Sequence, residues 1–205
     1  ILEMLRKRVF LKFKNVASRI PGDVDVLRRI YGFNGDSYGA FYPNPVPYHS
    51  QSEQVRKKED EKKIILVGNS ADPSNKHKVI LDALSRIYDG SFRVYIPMAY
   101  GNKIYADEIS LIARGMFSED AIVQRYMLSP KEYRAILERV DVAIFFHDRQ
   151  QALGNIFALL SMGKKVFVRS DTTTYEFLLK NDVKIYDSLQ ILKKEFCSFA
   201  LFDHE

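Results

Sequence analysis

The stretch VDVAIFFHDRQQALGNIFALLSMGKKVFVRS, Val140 to Ser170, decides the fold. Val142 to Phe146 is an apolar run of strand length, and His147 to Gln151 is a polar loop. A helical pattern begins near Gln151 and stops at Gly163, and Lys165 to Val168 is a second buried strand. Strand, helix and strand in that order make a parallel βαβ unit, since parallel strands need a crossover of roughly a dozen residues or more. The right-handed crossover puts the polar loop at the carboxyl edge of the sheet. There the first helical turn offers N–H groups with no intrahelical partner and a partial positive charge, which suits an anion, most simply a phosphate.

Working outward, the same alternation repeats. Ile64 to Val67 is a strand ending in the turn Gly68-Asn69-Ser70, with Asp72-Pro73-Ser74 as helix-start signals. The helix that follows to about Tyr88 turns Val79, Ile80, Ala83, Leu84 and Ile87 inward. Phe92 to Ile96 is a strand closed by Pro97, and Ile104 to Arg114 a helix closed by Gly115. Ala121 to Tyr126 is a further strand. Ser129-Pro130-Lys131-Glu132 is a capping box with proline at the first helical position, opening a helix to about Arg139. Beyond the central unit come a helix from about Thr172 to Leu179, a small strand at Val183 to Tyr186 and a helix from Ser188 to about Phe199. Six alternations without hairpin signals predict an α/β domain with a Rossmann-like, doubly wound parallel sheet over 61–205, whose ligands bind beyond the strand carboxyl ends.

Residues 1–60 read differently. Leu2, Leu5, Val9, Phe13, Val16 and Ile20 recur at steps of three and four, so an amphipathic helix is expected over 1–20, ending at Pro21-Gly22. That segment holds Arg6, Lys7, Arg8, Lys12, Lys14 and Arg19 against Glu3 alone, and so carries the entire net charge of +5. A basic amphipathic helix gains both apolar burial and Coulomb attraction on anionic lipid headgroups, with Arg6, Lys7, Arg8, Lys12 and Lys14 facing the membrane. The alternative is a helix that covers the core of an adjoining domain with its charges in water. Nucleic acid is disfavoured as a partner, because the neutral remainder offers no extended basic track. Tyr31 to Ser52, with Pro43, Pro45 and Pro47, reads as loop with room for a short strand near Gly39 to Tyr42, and Glu53 to Lys63 as a charged linker. A start at Ile1 rather than Met is what a piece of a longer chain would show.

The bulk composition limits the chemistry. A chain of 205 residues, 46% hydrophobic, can bury a core. Its single cysteine, Cys197, excludes an internal disulfide, and four scattered histidines offer no metal-ligand spacing. No apolar run approaches the about 20 residues of a spanning helix. The first loop has neither the G-x-G-x-x-G spacing of dinucleotide folds nor the Lys-Ser/Thr ending of a P-loop.

Three loops share the carboxyl edge. Gly68, Asn69 and Ser70 form a turn that lets backbone approach a ligand. Met98, Ala99 and Tyr100 can pack against a base. Arg149 can hold a phosphate bidentately, with Gln150 and Gln151 hydrogen-bonding sugar or phosphate oxygens; its alternative is a salt bridge to Asp148 or Asp171. Glu176 can meet a sugar or ribose hydroxyl. His147 is an acid/base candidate without an identifiable carboxylate to orient it. Ser161 and Cys197 lie within helix patterns and lack the elbow or partner of an acyl-enzyme nucleophile.

Taken together, ILVGNS (Ile64 to Ser70) with Asp72 and Ser74-Asn75-Lys76-His77, YIPMAYG (Tyr95 to Gly101), Tyr133, Asp141 and the Phe-x-x-x-Arg-Gln-Gln-x-x-Gly run from Phe145 to Gly154 resemble the TDP-N-acetylfucosamine:lipid II N-acetylfucosaminyltransferases, glycosyltransferase family 56. The resemblance covers about Ile64 to Leu178. It implies the carboxyl-terminal half of a GT-B glycosyltransferase, with 61–205 as nucleotide-sugar-binding domain and 1–60 as linker and remnant of an acceptor domain. It implies transfer of a 4-acetamido-4,6-dideoxyhexose from a TDP-sugar to an undecaprenyl-diphosphate-linked saccharide, without a metal cofactor, by an enzyme peripheral to the cytoplasmic face of the bacterial inner membrane. Arg149, Gln150 and Gln151 would neutralise the leaving diphosphate, with Gly154 in the same donor-binding run. The catalytic base would come from the other domain, so this chain would bind donor without turnover. The position after the two glutamines, glycine in the family, is Ala152 here, and His147-Asp148 replaces less polar residues. Two other readings keep the fold: a GT-B nucleotide-sugar epimerase or hydrolase, for which only His147 and Glu176 offer acid/base groups, and a non-catalytic binding module.

Overall fold

The computed structural model of the protein describes residues 2–40 and 61–203. Most of the stretch expected as a linker, 41–60, lies outside the described residues, and so does part of the strand expected near Gly39 to Tyr42.

The amino-terminal segment departs from the single expected helix. Helix α1 spans only Leu2–Phe10, strand β1 follows at Asn15–Ser18, helix α2 at Pro21–Tyr31 and strand β2 at Asp36–Gly39. Pro21 occupies the first position of α2, where the missing N–H costs nothing, so Pro21-Gly22 opens a helix instead of closing one. Gly32, at φ 74°, closes it. The apolar steps at Val16 and Ile20 belong to a strand and a helix entry: Val16 is half-buried in β1, and Ile20, extended at φ −108°, is fully buried against the main core. β1 and β2 pair in parallel from Asn15 opposite Asp36 to Ser18 opposite Gly39, so 15–39 is itself a small βαβ unit. It is fixed to the rest of the chain where α2 meets helix α7 (Thr173–Lys180): the Thr173 hydroxyl donates to the Asp23 carboxylate. Gly22 faces Thr173 so closely that a Cβ there would lie 3.3 Å from the threonine side chain.

The main domain is a six-stranded parallel sheet. Its strands are β3 (Lys63–Val67), β4 (Phe92–Pro97), β5 (Ala121–Gln124), β6 (Val142–Ile144), β7 (Lys165–Val168) and β8 (Tyr186–Asp187), in the order β5-β4-β3-β6-β7-β8. The chain winds outward in one direction from β3 and in the other from β6, which is the doubly wound arrangement. Strands buried on both faces read as continuous apolar runs. In β3, Ile65 and Val67 join one core with Ile80, Leu84, Val94 and Ile109, while Ile64 and Leu66 join the opposite core with Ala143, Ile156 and Val166.

Helices α3 (His77–Ser85) and α4 (Lys103–Phe117) cover the first face, and α5 (Pro130–Arg139), α6 (Leu153–Ser161) and α7 the second. The capping box of α5 is formed as expected: the Ser129 hydroxyl accepts from Glu132 N at 3.3 Å, and the Glu132 carboxylate accepts from Ser129 N at 2.8 Å. Three helix expectations change. A 3₁₀ turn (Pro73–Asn75) precedes α3, and Leu81 is buried while Val79 is exposed. Helix α4 runs through Gly115 to Phe117, because a helical glycine with open space around it weakens a helix without stopping it. The expected last helix from Ser188 breaks into a 3₁₀ turn (Ser188–Leu192) and a short α8 (Ser198–Phe202), since Asp187 caps the turn by accepting from Leu189 N at 2.9 Å. Lys165 holds α8 down: its ammonium donates to the carbonyl of Ala200 at 2.8 Å and to that of Asp203.

Candidate functional site

The crevice lies where the winding reverses, between the carboxyl ends of β3 and β6, the place where open α/β sheets bind ligands. The first loop is built by close backbone approaches. Gly68 leaves β3 at φ 70°, its N–H bonded to the Ile144 carbonyl at 3.0 Å, and a Cβ there would sit 2.3 Å from His77 Nε2. The second loop is laced to the first: Ala71 N–H donates to the Tyr100 carbonyl and Asn102 N–H to the Ala71 carbonyl, each at 2.8 Å. Gly101, at φ 112°, allows this, because a Cβ there would meet the Ala71 backbone at 2.7 Å.

Side chains then join all three loops. The Asn69 amide donates to the Tyr100 hydroxyl at 3.1 Å and accepts from the Gln151 amide at 3.0 Å. The Ser74 hydroxyl donates to Gln151 Oε1 at 2.9 Å, and Arg149 Nη2 stands 3.4 Å from both Ser74 Oγ and Asp72 Oδ2. Asn75 ties the turn from below, accepting from Asn69 N at 3.2 Å and donating to the Ser70 carbonyl at 3.2 Å. Helix α6 opens beside Gln151 behind Ala152, which lies at φ 58° and gives no side-chain cap, so its first-turn N–H groups face this edge.

The crevice holds its charges in pairs. Arg149 faces Asp72, Lys76 binds Asp148 at 2.7 Å, and Arg169 binds Asp171 at 2.6 Å. Each carboxyl is held below the usual carboxylate range, Asp72 by the Ser74 N–H, Asp148 by the Lys76 ammonium and Asp171 by the Arg169 guanidinium. All three are therefore ionised at neutral pH. An anion entering here meets cations that are already compensated and must share or displace a carboxylate to reach them.

Of the residues singled out from sequence, Gly68, Asn69, Ser70, Tyr100, Arg149 and Gln151 come together at this edge. Gln150 is half-buried beside them and stands outside the network just described, and Gly154 lies half-buried in the first turn of α6. Met98 does not reach the crevice: its side chain is buried in the core with Val94 and Ile96. Glu176 points elsewhere as well, into a cleft of about 520 Å³ between α2 and α7 that Pro21, Asp25 and Arg29 also line. His147 is enclosed next to Phe145, with neither ring nitrogen hydrogen-bonded, and burial pushes it down to about 4, so it is neutral at pH 7. Arg149 pairs with Asp72, where the sequence suggested Asp148 or Asp171.

The sequence names Lys76 within a motif without giving it a role; its left-handed backbone at φ 52° starts α3 and aims its ammonium at the Arg149 loop. The signal was a lysine straight after a capped polar turn. Sequence reading passed over a pocket of about 260 Å³ next to Asn69 and Tyr100, lined further by Gln124, Tyr126, Met127 and Tyr133. Among the described residues no group of three or more His, Cys, Asp or Glu side chains is arranged to hold a metal ion.

Residues 4–196 match the family described as 4-alpha-L-fucosyltransferase glycosyl transferase group 56. The fold is similar to that of a glycosyltransferase from Rickettsia africae, at TM-score 0.66 and 13% identity over 91% of this chain and 52% of that one. It is similar to WaaG, a glycosyltransferase involved in lipopolysaccharide biosynthesis, at TM-score 0.61 and 11% identity over 86% of this chain and 51% of that one. A structure described as trehalose-6-phosphate from E. coli bound with UDP-2-fluoro glucose matches at TM-score 0.62 and 10% identity over 92% and 52%. At such identities the likeness is one of fold, that of a GT-B Rossmann-like domain. The chain spans about half the length of these structures.

Proposed function

The chain belongs to the glycosyl transferase group 56 family, and from that premise we propose that it is the nucleotide-sugar-binding part of a glycosyltransferase. The donor is a TDP-linked 4-acetamido-4,6-dideoxyhexose and the acceptor an undecaprenyl-diphosphate-linked saccharide, in surface polysaccharide biosynthesis. The observation that carries this reading is the convergence of the Gly68–Ser70 turn, Tyr100, Arg149 and Gln151 at the reversal point of the sheet. Sugar transfer leaves negative charge on the departing diphosphate, and fixed donors aimed at developing charge are the largest lever on such a step. Arg149 and Lys76 supply two cations, the start of α6 supplies backbone N–H groups, and Gln151 supplies an amide; in this reading they act in place of a metal ion. A nucleotide-sugar analogue bound to the E. coli structure of similar fold supports the donor class.

The division of labour follows from length. Residues 61–203 form the donor domain, and 2–40 the carboxyl-terminal βαβ piece of an acceptor domain. The base that activates the acceptor hydroxyl lies in that domain, so this chain binds donor but does not turn over. The exposed apolar side of α1 (Leu2, Leu5, Val9) and the cations Arg6, Lys7, Arg8, Lys12 and Lys14 face anionic lipid on the cytoplasmic side of the inner membrane, where the acceptor is held.

Calorimetry with TDP tests the donor reading. Binding is expected to be equal in Mg²⁺ and in EDTA, and to weaken about tenfold or more in Arg149→Ala, which removes a charge-assisted contact to phosphate. A folded chain that takes up no TDP under either condition would overturn it.

A further inference from the structure

His77 makes none of the hydrogen bonds that join the three loops, yet it lies directly under the first of them. It opens α3, is fully buried, and sets the Nε2 edge of its ring against Gly68. Its other edge is engaged: the Tyr105 hydroxyl accepts from the His77 backbone N–H at 3.3 Å and stands 3.1 Å from Nδ1. A hydroxyl that accepts from the backbone still has its own proton to give, so Nδ1 is the acceptor and the ring proton sits on Nε2. Burial pushes the ring down to about 4, so that proton is the only one the ring carries at pH 7. Among the described residues Nε2 has no hydrogen-bond partner. A buried donor left unused is costly, and its presence in a core asks for a reason.

The reason lies on the far side of Gly68. Asn75, 1% exposed, accepts from the Asn69 N–H through Oδ1 at 3.2 Å, while its amide nitrogen donates to the carbonyls of Ser70 at 3.2 Å and Asp72 at 3.1 Å. The Asn69 N–H is thus tied to a buried acceptor, although backbone N–H groups of such a turn are what a bound anion draws on. Releasing it would strand Oδ1 unless a second donor replaced it. His77 Nε2–H is placed to do so. A Cβ added to Gly68 would collide with Nε2 and come within 3.0 Å of Oδ1, so both atoms border one gap that only glycine leaves open. The same glycine, at φ 70°, gives the backbone the freedom to let the next peptide turn.

We infer that His77 is a positioning residue for the first loop: when an anion draws the Asn69 N–H into the crevice, the His77 Nε2–H takes its place on Asn75 Oδ1. The exchange leaves the number of buried hydrogen bonds unchanged, so the turn gives a backbone donor to phosphate without stranding Asn75. The inference rests on the donor reading above and deepens it, because a histidine that never touches the ligand sets how readily the loop opens to it.

The test uses this chain with inorganic pyrophosphate and TDP, and two variants. A glutamine amide puts an N–H where Nε2 stands, whereas an asparagine amide reaches only as far as Nδ1 and Tyr105. His77→Asn is therefore expected to weaken both ligands about tenfold or more, the cost of a buried acceptor left unpaired, and His77→Gln to bind within about threefold of wild type. In a sample with ¹⁵N-labelled histidine, the wild-type ring is expected to show the Nε2–H tautomer. Saturating pyrophosphate is expected to move that proton downfield as the bond to Asn75 forms, which packing alone would not do. Ligand binding with the His77 Nε2–H signal unmoved would overturn the exchange and leave the donor reading intact, as would equal affinities in the two folded variants. Should either variant fail to fold, the wild-type ring spectrum decides. No binding of either ligand by the folded wild-type chain would overturn both.

Discussion

Ala152 starts α6 in a left-handed conformation, at φ 58°. A Cβ in that region crowds the following carbonyl, at a cost of roughly 1–2 kcal/mol that glycine escapes. The sequence marked this position as one where the family it resembles carries glycine, and the backbone supplies the physical reason. Ala152→Gly is therefore expected to raise stability by about 0.5–1 kcal/mol, read as a higher urea midpoint at unchanged slope, and an unchanged or lower midpoint would show that the turn is not strained. Two buried histidines give a second outcome. His77 and His147 are each pushed down by burial to about 4, against an ordinary value of 6.5. Above pH 6.5 both are neutral in either state. Below it the unfolded chain takes up protons that the folded chain refuses until about pH 4. Stability is thus complete above 6.5 and declines through that window by up to about 1.4 kcal/mol per pH unit for each histidine. Urea midpoints measured from pH 7.5 to 4.5 check this, and a flat profile would mean that the rings are open to water.

Among the elements, those whose signals were local came out of the sequence well. β7 sits on its expected residues because Val166 to Val168 is apolar on both faces and bounded by Gly163 and Ser170. The α5 cap was legible because a capping box is written in four consecutive residues. Elements whose limits depend on distant partners were not. Val16 and Ile20 keep a helical spacing from α1, yet Ile20 is claimed by the core beside Leu66 and Ile156, and β1 takes its conformation from pairing with β2, about twenty residues on. The last helix fails for a similar reason: Lys165 and the sheet fix the chain at Ala200 and Asp203, and Asp187 tightens the preceding turn to 3₁₀. The site divides along the same line. Gly68 and Arg149 stand out by residue type at a strand end. The roles of Lys76 and Tyr126 became visible only when folding set them beside Asp148 and around a common cavity.

For the molecule as a whole, the imbalance of charge and of exposed apolar surface falls at one end. None of the residues of α1 is buried; Leu2, Met4, Leu5 and Val9 lie 49–62% exposed among Arg6, Lys7 and Arg8, with Lys12 and Lys14 just beyond. The helix is nine residues long and spans no membrane, but lying flat it can set its apolar side among acyl chains and its cations among headgroups. Each cation near an anionic surface contributes about 1 kcal/mol, so the cluster attracts only when the lipid is charged and the salt is low. Sedimentation with vesicles of phosphatidylglycerol is expected to carry the chain down, vesicles of phosphatidylcholine to leave it in solution, and the triple substitution Lys7→Ala, Arg8→Ala, Lys12→Ala to weaken binding by about a hundredfold. The same chain in about 0.5 M salt should be largely released, since screening then acts within a few ångströms. Equal, salt-insensitive behaviour on both lipids would remove the membrane from the reading of α1 and leave its apolar side as a surface that a second protein domain covers, with the cations in water around it.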